Sequence, residues 1–124
     1  MGSERRETDR YVPKKQTFVA LRPDFSKLGK ILDISRGGLC FQYMAKEGQE
    51  HDSRLVDLDM FSDENGYYLP SVPCRFVYET TIGQAIASPV GLEYRNCGLK
   101  FGNLTREQSD QLDLYLRHHT AGSA

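Results

Sequence analysis

The sequence predicts a mainly β domain, a small sandwich or barrel, with one C-terminal helix. Its 124 residues are the length of a single domain. After residue 15, apolar and polar residues alternate in short runs, which is the period of half-buried strands. Gly, Pro, Asp and Asn separate these runs. No long helical pattern comes between them, which argues against parallel βαβ units.

Six or seven strands are predicted from these alternations. The apolar positions that mark them are Phe18–Leu21, Leu28–Ile34, Leu39 with Phe41 and Tyr43, Val56 with Leu58 and Met60, Val72 with Cys74, Phe76 and Tyr78, Leu92 with Tyr94, and Cys97 with Leu99 and Phe101. In the second run, Leu32 and Ile34 are expected to face the core. In the fourth, Asp57 and Asp59 are expected to face the solvent as an acidic row that discourages strand addition.

The two ends of the chain are predicted to differ from this pattern. Residues 1–15 are polar, charged and aperiodic, which predicts a flexible arm, whereas residues 16–117 form the barrel with its helix. Residues 118–124 are expected to fray. Thr105 followed by Gln108 predicts a capping box at the start of the helix. The helix is expected to pack through Leu112, Tyr115 and Leu116.

Composition argues against a membrane span. Mean hydropathy is −0.55, and the longest apolar runs are about four residues, far below the roughly 20 that a span needs. The first six residues have no apolar stretch behind their charges, so no signal peptide is predicted and a cytoplasmic location is expected. Cys40, Cys74 and Cys97 form no CxxC pair, which predicts buried free thiols and no metal site.

A net charge of −1 hides an uneven distribution. Residues 1–30 hold eight basic and four acidic side chains, whereas residues 47–64 hold one basic and seven acidic. The N-terminal part is therefore expected to bind an anionic partner, although the net charge of the chain argues against a long nucleic acid. The sequence carries no catalytic motif, and its three histidines are expected to be solvated, so neither enzyme activity nor a cofactor is predicted.

Three arginines stand on the N-terminal arm. Arg5, Arg6 and Arg10 present planar guanidinium groups, which bind phosphate bidentately, stack on flat rings and can donate to the O6/N7 edge of guanine. A solvated charged tail is the ordinary alternative. The chemistry of the three groups nevertheless fits a nucleotide.

A second motif follows at the end of the second predicted strand. Asp33 can accept from the N1–H and amino group of guanine, and Ser35 is expected to project beside it and to donate or accept. Gly37 and Gly38 turn the chain and allow a ligand to approach the backbone. An Asp/Ser turn in a hairpin is the ordinary alternative. Together, the two motifs suit a small molecule with both phosphates and guanines.

The two motifs resemble the signatures of the PilZ domain family, bacterial receptors for the second messenger cyclic di-GMP. The RxxxR signature is matched by Arg6 and Arg10, and the [D/N]xSxxG signature by Asp33, Ser35 and Gly38. The resemblance covers roughly residues 4–117 and implies a six-stranded antiparallel β-barrel with a C-terminal helix. It also implies that the arm folds over the ligand.

The resemblance implies a bacterial cyclic di-GMP receptor whose ligand orders the arm and changes the surface offered to an unidentified partner protein. The resemblance also implies an intercalated ligand dimer, which family members with a double arginine, here Arg5 and Arg6, often bind. The candidates for further contacts with the ligand are Arg36, Lys46, Arg75 and Arg95. Two alternatives remain, a PilZ-like adaptor that binds only protein and a small-barrel nucleic-acid binder whose aromatic side chains stack on bases. An enzyme acting on a nucleotide is a more distant one.

Overall fold

The chain forms eight antiparallel strands and one helix in a computed structural model that describes residues 9–22, 27–49, 55–62, 66–84 and 91–123. The strands are β1 (Tyr11–Pro13), β2 (Phe18–Leu21), β3 (Leu28–Ile34), β4 (Gly38–Lys46), β5 (Leu55–Phe61), β6 (Tyr68–Gln84), β7 (Leu92–Phe101) and β8 (Thr120–Ser123). The helix, α1, spans Arg106–His118.

Six of the strands close into a barrel because β2 pairs on both of its edges. The neighbours run β2, β5, β6, β7, β4 and β3, and β3 then pairs again with β2. The predicted six-stranded antiparallel barrel is therefore confirmed. The two remaining strands extend the sheet outward from β3, since β1 pairs with β3 and β8 pairs with β1.

Two segments that were predicted to be irregular form strands instead. Tyr11–Pro13 lies within the predicted flexible arm, and Thr120–Ser123 lies within the predicted frayed tail, yet the two pair with each other. The backbone N–H of Lys14 also donates to the carbonyl of His119 at 2.8 Å. Strands this short show no periodicity in the sequence. They form because each pairs with a strand that is distant in the chain.

The helix begins at the predicted capping box and packs against the barrel. The Thr105 hydroxyl accepts from the Gln108 N–H, and the Gln108 side chain accepts from the Thr105 N–H, both at 3.0 Å. Leu112 and Tyr115 are buried, and the Tyr115 hydroxyl lies 2.7 Å from that of Thr17 on the barrel. No helix in the described ranges is long and apolar enough to cross a membrane.

A β-bulge in β3 changes which side chains face the core. Leu32 is the extra residue between the pairs that Ile31 and Asp33 make with β4. As a result Ile31 and Ile34 are buried, while Leu32 is only half-buried, so the predicted inward position of Leu32 was wrong. The bulge leaves Asp33 on the outer face of the barrel.

A second bulge has the same effect in β6. Val77 is the extra residue between Phe76 and Tyr78, which both pair with β7. Val77 and Tyr78 are consequently both exposed, although the sequence alternation placed Tyr78 on the face of Phe76. A bulge interrupts the period of two, and the sequence carries no mark of it.

Charged side chains occupy one end of the barrel interior. Buried Arg95 donates from Nε to Glu93 and from Nη1 to Glu79, each at 2.7 Å. The sequence placed Tyr94 on the inward face, whereas the structure has it exposed. The reason is that β7 is one continuous strand, and the apolar residues of its second half determine which positions face inward.

The acidic row predicted on β5 is only half correct. Asp57 is exposed, but Asp59 is buried and accepts two hydrogen bonds from Arg22, Nε to Oδ1 at 2.9 Å and Nη2 to Oδ2 at 3.1 Å. The backbone N–H of Ser71 adds a third at 2.9 Å. Burial alone raises the pKa of the Asp59 carboxyl, but these hydrogen bonds outweigh it and hold the pKa below its usual value.

We expect Asp59→Asn to lower the free energy of unfolding by about 1–2 kcal/mol at pH 7, because the charge-assisted hydrogen bonds to Arg22 weaken. The pKa of Asp59 is low in the folded state, so its contribution is present above the unfolded value of about 3.9 and is lost as the pH falls further. Urea unfolding at pH 7 and pH 3 measures this. Asp57→Asn is the matched control, and an equal effect of the two substitutions would contradict the assignment.

Candidate functional site

An ion pair joins the two sequence motifs. Nε of Arg10 donates to Oδ1 of Asp33, 23 positions along the chain. The pairing of β1 with β3, which sets Tyr11 opposite Ile34, brings Arg10 next to Asp33. Both side chains remain partly exposed, at 39% for Arg10 and 26% for Asp33. The other two predicted arginines, at positions 5 and 6, lie outside the described residues.

Ser35 shapes the loop after β3 and does not project from it. Its side chain is buried, and its hydroxyl accepts from the N–H of Gly37 at 3.1 Å and donates to the carbonyl of Gly38 at 3.3 Å. The expectation that Ser35 projects beside Asp33 was therefore wrong, and the Ser turn is the correct description.

The two glycines of this loop have different surroundings. A Cβ on Gly38 would lie 2.1 Å from the carbonyl oxygen of Leu99, so only glycine lets β4 start this close to β7. A Cβ on Gly37 would lie 3.9 Å from the Ser35 hydroxyl, which is an ordinary van der Waals contact. Gly38 is thus required by packing, while Gly37 leaves room above the loop.

The loop borders a cleft of about 460 Å³ on the outer face of the barrel. From the predicted site, Arg10, Ser35, Gly37 and Gly38 line this cleft. Its remaining walls are formed by Leu39, Val77, Tyr78, Gly98, Leu99 and Lys100. A larger cleft of about 650 Å³ lies between β5, β6 and the end of β7; Arg75 lines it, but none of the described motif residues does.

Tyr78 is the residue of this site that sequence reasoning missed. The bulge in β6 turns it outward, and its ring lies on Gly98, where a Cβ would come within 2.2 Å of the ring. Its hydroxyl donates to Sγ of Cys40 at 3.3 Å. That hydrogen bond and partial burial raise the pKa of Tyr78 to about 12, so the phenol stays neutral at pH 7. The ring remains half exposed and faces the cleft.

One row of the barrel carries the site. Asp33 pairs with Cys40, Cys40 with Gly98, and Gly98 with Tyr78, so these residues lie side by side across β3, β4, β7 and β6. All three cysteines of the chain are free and buried, as predicted. Cys40, however, lies on the outer face beneath Tyr78 and outside the barrel core.

Three of the four further cationic candidates form no part of the cleft wall. Arg36 forms an ion pair with Asp113 of α1. Arg95 is enclosed in the barrel interior, where two glutamates neutralise it. Lys46 lies at the far end of β4. None of these three lines the cleft.

Arg75, the fourth candidate, directly faces Lys100 across β6 and β7. Both side chains are exposed on the outer face, and Lys100 lines the cleft. Like charges placed opposite each other are unfavourable. In the part of the chain that the structure describes, neither one has a carboxylate within ion-pair distance. This pair is suited to an anion that comes from outside the chain.

A metal site finds no support in this geometry. Within the described residues no group of three His, Cys, Asp or Glu side chains is arranged to hold a metal ion. The wall of the cleft carries the Arg10 guanidinium, the Lys100 ammonium and the Tyr78 ring. The Asp33 carboxylate is paired with Arg10, and the Arg75 guanidinium lies opposite Lys100. They match the phosphates and flat bases of a nucleotide.

The family model described as the PilZ domain matches residues 4–118, nearly the whole chain. The chain belongs to the PilZ domain family. Its fold also resembles the structure described as the PilZ domain with c-di-GMP of YcgR from Escherichia coli, with a TM-score of 0.63 and 13% sequence identity. The similarity covers 88% of this chain and 86% of that chain. A search of curated proteins finds no match.

In this PilZ domain we expect Gly38→Ala to lower the free energy of unfolding by about 1–3 kcal/mol, because the added methyl group meets a fixed backbone carbonyl. Gly37→Ala should stay within about 0.5 kcal/mol of the wild type, since its methyl group would make only an ordinary contact with the Ser35 hydroxyl. Urea unfolding of the two neighbouring variants measures the difference. Equal losses would show that the close approach of β4 to β7 is wrongly assigned.

Proposed function

We propose that this PilZ domain is a receptor for cyclic di-GMP, which binds on the outer face of the barrel at the cleft beside Arg10 and Asp33. The observation that carries the proposal is the ion pair between these two residues, one from each motif, at the edge of one cleft. Family membership supports the same ligand class, as does the ligand named for the YcgR domain.

Each group at the cleft has a part in this binding. The Arg10 guanidinium serves a phosphate or the O6/N7 edge of guanine, and the Asp33 carboxylate accepts from the N1–H and amino group of the base. The half-exposed ring of Tyr78 offers a face on which a base stacks. Ser35 acts through the turn that it holds, so its role is to position Asp33 and the glycines.

Ligand binding exchanges the Arg10–Asp33 pair for contacts to the nucleotide. A partly exposed ion pair contributes only about 0–1 kcal/mol. Each charge-assisted hydrogen bond to the ligand contributes roughly 1.5–3 kcal/mol. Replacing the ion pair by hydrogen bonds to the ligand therefore favours the complex. Before the ligand binds, the ion pair holds both side chains close to the positions in which they bind it.

We further propose that the ligand orders the N-terminal arm. Arg5 and Arg6 would add their guanidinium groups to the phosphates, and the ligand would supply the countercharge that lets three arginines come together. The ordered arm would change the surface offered to a partner protein. In this proposal the protein is a bacterial, cytoplasmic receptor and not an enzyme. The ligand is therefore released chemically unchanged.

A second ligand molecule has a place beside the first. Arg75 and Lys100 continue the cleft by one row along β6 and β7, and their unfavourable pairing is relieved by a phosphate. Together with Arg5, they support an intercalated ligand dimer. An adaptor that binds only protein gives no reason for this arrangement. A nucleic-acid binder is less favoured because, among the residues that the structure describes, only one aromatic side chain, that of Tyr78, lines the cleft.

Arg10→Ala should weaken cyclic di-GMP binding by about 2–5 kcal/mol, because it removes one charged partner of the ligand and leaves Asp33 unpaired. Isothermal titration calorimetry measures the affinity, with GTP and cyclic di-AMP as competing nucleotides. Arg36→Ala is the matched control, since Arg36 is paired with Asp113 and does not line the cleft, and it should bind like the wild type.

Two results would contradict this function. A wild-type protein that takes up no cyclic di-GMP would exclude the receptor, and undiminished binding by Arg10→Ala would exclude the site. Steep weakening of binding with salt, together with affinity for single-stranded nucleic acid, would favour the nucleic-acid binder.

The double variant Arg75→Ala/Lys100→Ala should bind one ligand where the wild type binds two, because the second molecule loses its phosphate contacts. The stoichiometry in the same calorimetric titration reports this. Lys46→Ala, at the far end of β4, is the control. A wild-type stoichiometry of one, or an unchanged stoichiometry in the double variant, would remove the ligand dimer while leaving the receptor intact.

A further inference from the structure

Exposed apolar side chains cross four neighbouring strands on the outer face of the barrel. Met44 of β4 pairs with Tyr94 of β7. Leu28 of β3 lies next to Met44, because Gly29 pairs with Tyr43. Ile82 of β6 is the bulge residue next to the partner of Tyr94. We call Leu28, Met44, Tyr94 and Ile82 the apolar row. Their exposed fractions are 57%, 50%, 37% and 49% in that order.

The apolar row is separate from the ligand cleft. A polar row lies between them, formed by Lys30, Gln42, Asn96 and Thr80. On β4 and β7 the apolar row is four positions from the row of Asp33 and Tyr78, which is about 13 Å along the strands. A nucleotide at the cleft therefore leaves the apolar row uncovered.

These side chains do not belong to the barrel core. Their strands already fill the interior with the residues of the opposite parity, among them Phe41 and Cys97. Single exposed apolar side chains are ordinary, but four in register form a continuous patch, and such patches mark interaction sites. Met and Tyr are also enriched in protein interfaces.

The charges around the patch indicate what covers it. Lys30 and Lys46 lie in the rows on either side of the apolar row, and both are exposed. Among the described residues neither has a carboxylate within ion-pair distance. The nearby Glu47 already accepts a hydrogen bond from Gln84. A second copy docked face to face would bring lysines together, so self-association is disfavoured.

We propose that the apolar row is the docking surface for an amphipathic segment of another protein, apolar along its centre and flanked by carboxylates. The apolar side chains of the partner would cover Leu28, Met44, Tyr94 and Ile82. Its carboxylates would pair with Lys30 and Lys46, which gives the complex its orientation. Ligand and partner would then occupy one face of the barrel without sharing residues.

Site-specific photo-crosslinking in the native cells tests this. A photo-crosslinking amino acid replaces Met44 in the full chain, and the crosslinked peptide is identified by mass spectrometry. The matched control carries the same group at Leu114, which is exposed on α1. We expect position 44, and not position 114, to capture one protein through a segment with apolar residues and at least two carboxylates.

The second step uses that segment as a synthetic peptide. Its affinity, measured by fluorescence anisotropy, should fall about tenfold or more for Lys30→Glu/Lys46→Glu, because attraction becomes repulsion. Unchanged thermal unfolding of this surface variant shows that the fold is kept. The proposal is overturned by a crosslink to a second copy of the chain, by capture of a segment without carboxylates, by no capture, or by a peptide affinity that the charge reversal does not lower.

Discussion

Two β-bulges determine where the chemistry of this barrel lies. In a closed barrel, residues alternate between the interior and the outer face, so one extra residue moves every later side chain to the opposite face. The bulge at Leu32 sets Asp33 outside, and the bulge at Val77 sets Tyr78 outside in the same row. Gly98 between them leaves space for the ring. Without the bulges, the carboxylate would enter the apolar core.

Arg95 inside the barrel forms ion pairs, whereas Arg75 and Lys100 on the outer face form none among the described residues. Arg95 is neutralised by Glu79 and Glu93 in the interior, where a lone charge would be costly. On the outer face, Lys100 lines the cleft and Arg75 lies opposite it, and neither has a carboxylate within ion-pair distance among the residues that the structure describes. This distribution explains how a chain with a net charge of −1 is suited to an anionic ligand, since a small nucleotide meets only the few charges next to it.

Strand pairing also organises the outer face into bands with different chemistry. The row of Asp33 and Tyr78 carries the groups of the proposed nucleotide site, the next row is polar, and the row of Met44 and Tyr94 is apolar. Because the same strands carry all three bands, their spacing depends on the backbone repeat and not on loops. A ligand and a partner segment that use this face would lie at a constant separation, with the polar row between them.

Local sequence patterns determined the mainly β class, the capped helix, the buried cysteines and the two motifs, because each of these depends on residues close together in the chain. Only the tertiary structure decided that Arg10 meets Asp33, that Asp59 is buried under Arg22, and that Tyr78 faces outward. These outcomes depend on which distant strands pair and in which register, and a bulge leaves no periodic signal. The alternation of apolar residues indicates which side chains a segment tends to bury. The pairing and register of the strands determine the face that each side chain occupies.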